Sequence, residues 1–94
     1  MVEEWKNKLG LEKWTITIEE IHPKQVVYPD DCVEEEKFFI GITTNPITLT
    51  AIIYHDVPLY EEAVVHELLH VKYPDKSEAW INDKTKETIK DDRV

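Results

Sequence analysis

Residues 63–71 read Ala-Val-Val-His-Glu-Leu-Leu-His-Val, with apolar side chains at every position except three. A helix that is apolar on all sides is typical of a segment buried in a small core. Polar groups are costly to bury without partners, so we expect His66, Glu67 and His70 to have partners of their own. The stretch therefore predicts the central helix of the fold.

The three polar residues have the spacing HExxH. On a helix, His66 and His70 lie one turn apart on the same face, so both imidazoles can bind one Zn²⁺ while Glu67 reaches a metal-bound water. In the alternative, the histidines bind backbone groups and Glu67 caps a helix or forms an ion pair. We favour two metal ligands, His66 and His70, and a catalytic Glu67.

The composition is that of one compact domain. The chain has 94 residues and is 41% apolar, which is enough for one modest core but not for two. We therefore treat residues 1–94 as a single domain. A lone Cys32 and the absence of long apolar stretches predict a cytoplasmic protein without a membrane anchor.

The net charge of the chain argues against some classes of binding partner. A net charge of −9 disfavours nucleic acid, because phosphate binding needs a basic patch. The acidic run at residues 28–36 could bind a hard cation such as Ca²⁺, but it lacks the alternating ligands and the Gly of a calcium loop. A solvated connector is the favoured interpretation.

Residue periodicity predicts one helix and up to four strands before the motif. Residues 2–9 form an amphipathic helix that Gly10 ends. Alternating or β-branched runs predict strands at residues 14–18, 25–28, 38–43 and 47–54. The turn at Asn45-Pro46 is short enough to join the last two strands as a hairpin.

Two helices should follow the strands. We expect Pro58 in the first turn of the motif helix, with Glu61 and Glu62 at its positive end, and an end at or just before Tyr73 because Pro74 follows. Residues 75–77 supply capping side chains for a second helix. The fold class is therefore α+β: a short N-terminal helix, a small sheet of three to four strands, and two helices.

A catalytic zinc site needs a third protein ligand. The extended pattern HExxHxxGxxH is absent, because Tyr73 and Lys76 stand where Gly and His are required. Glu78 is our choice, since the turn at Pro74 folds the second helix back toward the first. Alternatively, Asp75 and Glu78 form a variant capping box in which Glu78 binds backbone.

Other polar residues are weaker candidates. His22 and His55 carry no supporting pattern, and Glu87 lies about 13 Å further along an ideal helix than Glu78. Asn82 and Asp83 follow Glu78 by about one turn, where either could orient a ligand imidazole.

These parts fit peptide hydrolysis. Zinc lowers the pKa of a bound water, and Glu67 accepts its proton and passes it to the leaving amine. The developing oxyanion needs a second donor; the candidates are Tyr54, His55, Tyr60 and Tyr73. We expect the strand that ends at Tyr54 to offer an exposed edge to an extended substrate.

The HExxH motif followed by a carboxylate on the next helix resembles the gluzincin zinc metallopeptidases, and the small size resembles the minigluzincins. The resemblance covers about residues 37–90, and its specific part is the motif with Glu78. It implies His66, His70 and Glu78 as Zn²⁺ ligands and Glu67 as general base. It also implies latency, with the C-terminal segment 83–94 covering the cleft. Asn82 departs from the family, whose members often have Asp four residues after the ligand Glu.

The sequence thus predicts a zinc-dependent endopeptidase, a monomer or homodimer, that acts on peptides or unfolded proteins. Its own or a neighbouring tail is the expected inhibitor. The alternative is a non-catalytic, zinc-stabilised adaptor that binds proteins through its acidic surface. Hydrolysis of a non-peptide amide or ester would use the same water chemistry.

Overall fold

The computed structural model describes residues 1–21 and 40–93, which form three helices and one three-stranded sheet. The elements in chain order are α1 (Val2–Lys8), β1 (Thr15–Glu20), β2 (Ile40–Asn45), β3 (Thr50–His55), α2 (Glu61–Lys72) and α3 (Glu78–Asp92). The predicted α+β fold is confirmed. The predicted strand at residues 25–28, the acidic run at 28–36, His22 and Cys32 lie outside the described residues.

Helix α1 packs one apolar stripe against the core. Trp5 is only 3% exposed, and Leu9, directly after the helix, is also buried. Gly10 adopts a φ of 74°, a left-handed conformation that is favourable for glycine, and the chain turns there toward β1. The predicted end of this helix is confirmed.

The sheet has the strand order β1-β3-β2. β2 and β3 form the predicted antiparallel hairpin, and Asn45 accepts hydrogen bonds through Oδ1 from the backbone N–H groups of Ile47 and Thr48 in the connecting turn. β1 joins the other side of β3 in parallel, with Ile18 opposite Ile53. The prediction that the strand ending at Tyr54 is an edge strand is therefore wrong: β3 is hydrogen-bonded on both sides, and β2 is an edge of this sheet.

Helix α2 is the centre of the core. Val64, Val65, Leu68 and Leu69 are at most 1% exposed, and they pack with Ala51 and Ile53 of the central strand. Burial on this scale stabilises by about 1.5–3 kcal/mol for each large apolar side chain. The helix is thus held rigidly, and so are the polar residues that it carries.

The predicted start of α2 is wrong by one turn. Tyr60 is extended, with φ −124° and ψ 161°, and its carbonyl accepts the hydrogen bond from Val64 N at 3.1 Å, so Pro58 precedes the helix. The indole N–H of Trp5 donates to Glu61 Oε2 at 3.1 Å and links α1 to the first turn. The contact between Trp5 and Glu61 is a tertiary interaction at the observed start of α2, which lies later in the chain than the start predicted from local propensity.

The C-terminal part of the described chain continues α3 instead of forming a separate tail. Asp92 Oδ1 pairs with Lys8 Nζ at 3.0 Å, and Arg93 forms an ion pair with Glu61. The far end of α3 is thereby joined to α1 and to the start of α2. In the described ranges, no helix combines the length and hydrophobicity needed to cross a membrane.

Candidate metal centre

Two imidazoles and one carboxylate converge on a single point between α2 and α3. Nε2 of His66 and Nε2 of His70 are 3.2 Å apart. Glu78 places Oε1 2.5 Å from His66 Nε2 and Oε2 3.0 Å from His70 Nε2. The ligand atoms of the three residues all lie within 4.8 Å of one another, close enough to bind one metal ion.

The spacing of the two nitrogens fits a tetrahedral ion. Two nitrogens bound to one zinc at about 2.05 Å lie roughly 3.3 Å apart, and the observed separation is 3.2 Å. The carboxylate oxygens lie somewhat closer to the imidazoles than two ligands of one ion do. Because Glu78 is 65% exposed, its side chain has room to adjust.

The turn between the helices decides where Glu78 points. Ser77 is the N-cap of α3, and its Oγ accepts a hydrogen bond from the backbone N–H of Trp80 at 3.2 Å. Across the turn, the rings of Tyr73 and Trp80 pack edge to face with centroids 5.0 Å apart. Since Ser77 caps the helix, the alternative capping role for Glu78 is not used, and its carboxylate faces the imidazoles instead.

Glu67 lies among these ligands and is only 8% exposed. Burial raises the pKa of its carboxyl to about 7, and the negative charge of Glu78 acts in the same direction. A carboxyl with such a pKa can exchange a proton near neutral pH.

Two pockets share His66, Glu67, Glu78 and Ile40. The first, which we call the Tyr60 pocket, has a volume of about 310 Å³. It is completed by Tyr60, Glu62, Ala63 and Asn82. The second, the β2 pocket, has a volume of about 410 Å³. It is completed by Gly41, Ile42, Thr44, His70 and Pro74. The candidate metal centre therefore lies at a cleft with β2 on one side.

Most of the other predicted site residues lie outside the two pockets. Among the four oxyanion candidates only Tyr60 lines either pocket, and it is 53% exposed. His55 instead places Nδ1 2.7 Å from the carbonyl of Val57. Glu87 interacts with Lys84, and neither Glu87 nor His55 joins the ligand group.

Asn82 and Asp83 show no hydrogen bond to either imidazole within the part of the chain that the structure describes. Asn82 does line the Tyr60 pocket, whereas Asp83 lines neither pocket. Beyond Asn82, no described residue lines the two pockets. Inhibition by the segment 83–94 therefore stays a prediction.

Sequence reasoning missed two parts of the cleft. The wall formed by Ile40, Gly41 and Ile42 depends on the strand order, which no local pattern encodes. Local rules predict only a helix-terminal charge at Glu62, although it precedes His66 by four residues. That spacing places it on the face of the helix that carries the ligands.

Comparisons with protein-family models, curated proteins and solved structures returned no match to this chain. The resemblance to gluzincins therefore rests on the HExxH motif and Glu78.

Proposed function

We propose that this protein is a zinc-dependent metallopeptidase. The observation that carries the proposal is the convergence of His66, His70 and Glu78 beside a buried Glu67 in an open cleft. A set of two histidines and one glutamate is typical of catalytic zinc, which keeps a further position for water. Three ligands leave that position open.

Glu67 is the general base of the proposed reaction. Zinc, when bound, polarises the scissile carbonyl and makes the attacking water more acidic. Glu67 takes a proton from this water as its oxygen bonds to the carbonyl carbon, and it passes the proton to the amine when the C–N bond breaks. In the metal-free protein the pKa of Glu67 is about 7, and the charge of a bound Zn²⁺ would lower it and favour the carboxylate form that accepts a proton. Tyr60, in the same pocket, is the proposed second donor to the oxyanion.

The edge strand β2 supports a peptide as the substrate. In the described sheet β2 pairs with β3 alone, and Ile40 to Ile42 line the pocket beside His66. A strand edge carries unpaired backbone N–H and C=O groups, which an extended peptide can pair with. The substrate is therefore a peptide or unfolded protein, recognised mainly through its backbone.

Zinc content and proteolysis test the proposal together. The purified protein is loaded with zinc, dialysed, analysed for metal and incubated with unfolded casein. We expect one zinc per chain, cleavage of casein, and a Glu67→Gln variant that keeps zinc and loses cleavage. The matched control Glu87→Gln, a change elsewhere on α3, should keep both. A zinc-loaded protein that cleaves nothing, or a Glu67→Gln variant as active as the original, would contradict the proposal.

A further inference from the structure

The Tyr60 pocket is negatively charged. Its lining among the described residues includes three carboxylates, Glu62, Glu67 and Glu78, and no lysine or arginine. Two of them belong to the proposed reaction. The two positive charges of a bound Zn²⁺ would balance Glu67 and Glu78, so Glu62 carries the uncompensated charge among the lining residues that the structure describes.

Glu62 also lacks a partner among the described residues, in contrast to its neighbour. Glu61 accepts a hydrogen bond from Trp5 and pairs with Arg93, and these groups hold the pKa of Glu61 below its usual range. Glu62 is exposed and makes no hydrogen bond or ion pair within residues 1–21 and 40–93. Its carboxylate is thus available to a ligand.

The remaining walls suit a side chain with an aliphatic stem. Ile40, Ala63 and the ring of Tyr60 give the pocket an apolar surface beside its carboxylates. Lysine and arginine bury their methylene groups against apolar surface while the charged end reaches a polar partner. Asn82 and Tyr60, which line the same pocket, also carry hydrogen-bond acceptors in their side chains.

We propose that the Tyr60 pocket binds a lysine or arginine side chain of the substrate, next to the cleaved bond, and that Glu62 contacts its charged end. This inference rests on the proposed peptidase function and names the class of substrate that the site prefers. The pocket volume of about 310 Å³ is at the lower end of the range for ligand pockets and accommodates one long side chain.

A peptide series measures this preference. The series has a common scaffold, acetylated at its N-terminus, in which Lys, Arg, Met or Glu occupies each position flanking the cleaved bond. The readout is the ratio of kcat/KM for Lys or Arg peptides to kcat/KM for the Met peptide. Because Glu62 is exposed, we expect a ratio of about three to five at low ionic strength, falling with added salt.

Two variants localise the effect. Glu62→Gln should bring the ratio close to one, and Glu62→Lys should favour the Glu peptide. Glu12→Gln removes the same charge from an exposed position that lines neither pocket, so it should leave the ratio unchanged. A ratio near one in the original protein, or an equal fall in Glu12→Gln, overturns the proposal. So does cleavage that requires a free N-terminal amine, since the charge recognised would then be the amine.

Binding separates this inference from the proposed function. The same peptides, labelled with fluorescein, are titrated with zinc-loaded Glu67→Gln protein. Tighter binding of Lys and Arg peptides that is lost in the double variant Glu62→Gln/Glu67→Gln supports the pocket assignment even if no peptide is cleaved. Equal binding of Lys and Met peptides overturns the pocket assignment. Cleavage without a preference for Lys or Arg also overturns it, but leaves the proposed peptidase function intact.

Discussion

Nε2 of His66 and Oε1 of Glu78 lie 2.5 Å apart, although the two residues belong to different helices on either side of the turn at Pro74. The turn and the packing of α3 on α2 together bring them into contact. The position of Glu78 is therefore a property of the tertiary structure.

Removal of the carboxylate should weaken metal binding. Glu78→Gln replaces a charged ligand with a neutral amide, so we expect zinc affinity to fall by more than about tenfold, with little change in stability of the metal-free protein because the residue is exposed. Competition with a fluorescent chelator measures the affinity. Glu87→Gln, on the same helix, is the control, and equal zinc affinity in Glu78→Gln would exclude Glu78 as a ligand.

Loss of the helix cap should affect both stability and metal binding. Ser77→Ala removes the acceptor for the backbone N–H of Trp80, so we expect a loss of about 1 kcal/mol in the free energy of unfolding. Because Ser77 directly precedes Glu78, zinc affinity should fall as well. Urea unfolding and zinc titration provide the measurements. Asp75→Ala is the control; a larger loss there would restore the capping box as the correct interpretation.

The stability of the metal-free protein should decrease as the pH rises. Burial raises the pKa of Glu67 from 4.5 to about 7, so the native state binds more protons than the unfolded state between these values. Stability is then lost progressively from about pH 4.5 to about pH 7, by roughly 2–3 kcal/mol. Glu67→Gln removes this dependence and should be the more stable protein at pH 8.

Urea unfolding at several pH values, with a chelator present, tests this expectation. The relevant quantity is the difference in the free energy of unfolding between the Glu67→Gln and original proteins at each pH. A difference that stays constant from pH 5 to pH 8 would show that Glu67 titrates normally. Glu12→Gln corrects for the general effect of removing one acidic charge.

The end of α3 should act as a structural anchor. Deletion of residues 91–94 removes Asp92 and Arg93, the ion-pair partners of Lys8 and Glu61, so we expect a lower melting temperature and no gain in peptidase activity. The double variant Asp92→Ala/Arg93→Ala, without the deletion, should lower the melting temperature by a similar amount. Activation by the deletion but not by the double variant would support the predicted inhibitory tail.

The sequence was most informative where local rules and tertiary structure agree. The apolar surroundings of His66 and His70 predicted a buried helix, and Pro74 with Ser77 predicted the turn that delivers Glu78. Local sequence patterns do not predict the strand order. A hairpin joins β2 to β3 by local contacts, but no local pattern indicates that β1 pairs with the other side of β3. Local patterns therefore predict the wrong edge strand beside the cleft.

The error at Pro58 has a similar cause. Proline is favourable in a first turn, but α2 begins at Glu61, where Trp5 and Arg93 hold the carboxylate from distant parts of the chain. For Glu62 the local pattern is informative but incomplete. Its spacing from His66 alone places it on the same face of the helix. Its place in a pocket with Tyr60 and Asn82 depends on the tertiary structure.

The contact between Lys8 and Asp92 has a consequence for biosynthesis. The two residues are 84 positions apart, and Arg93 follows at once with its own bond to Glu61. Closing so long a loop is entropically costly, and both contacts must wait until residue 93 has left the ribosome. A nascent chain that already contains both histidines and Glu78 therefore still lacks the contacts that join the end of α3 to α1 and α2, and it gains them only after residue 93 has emerged.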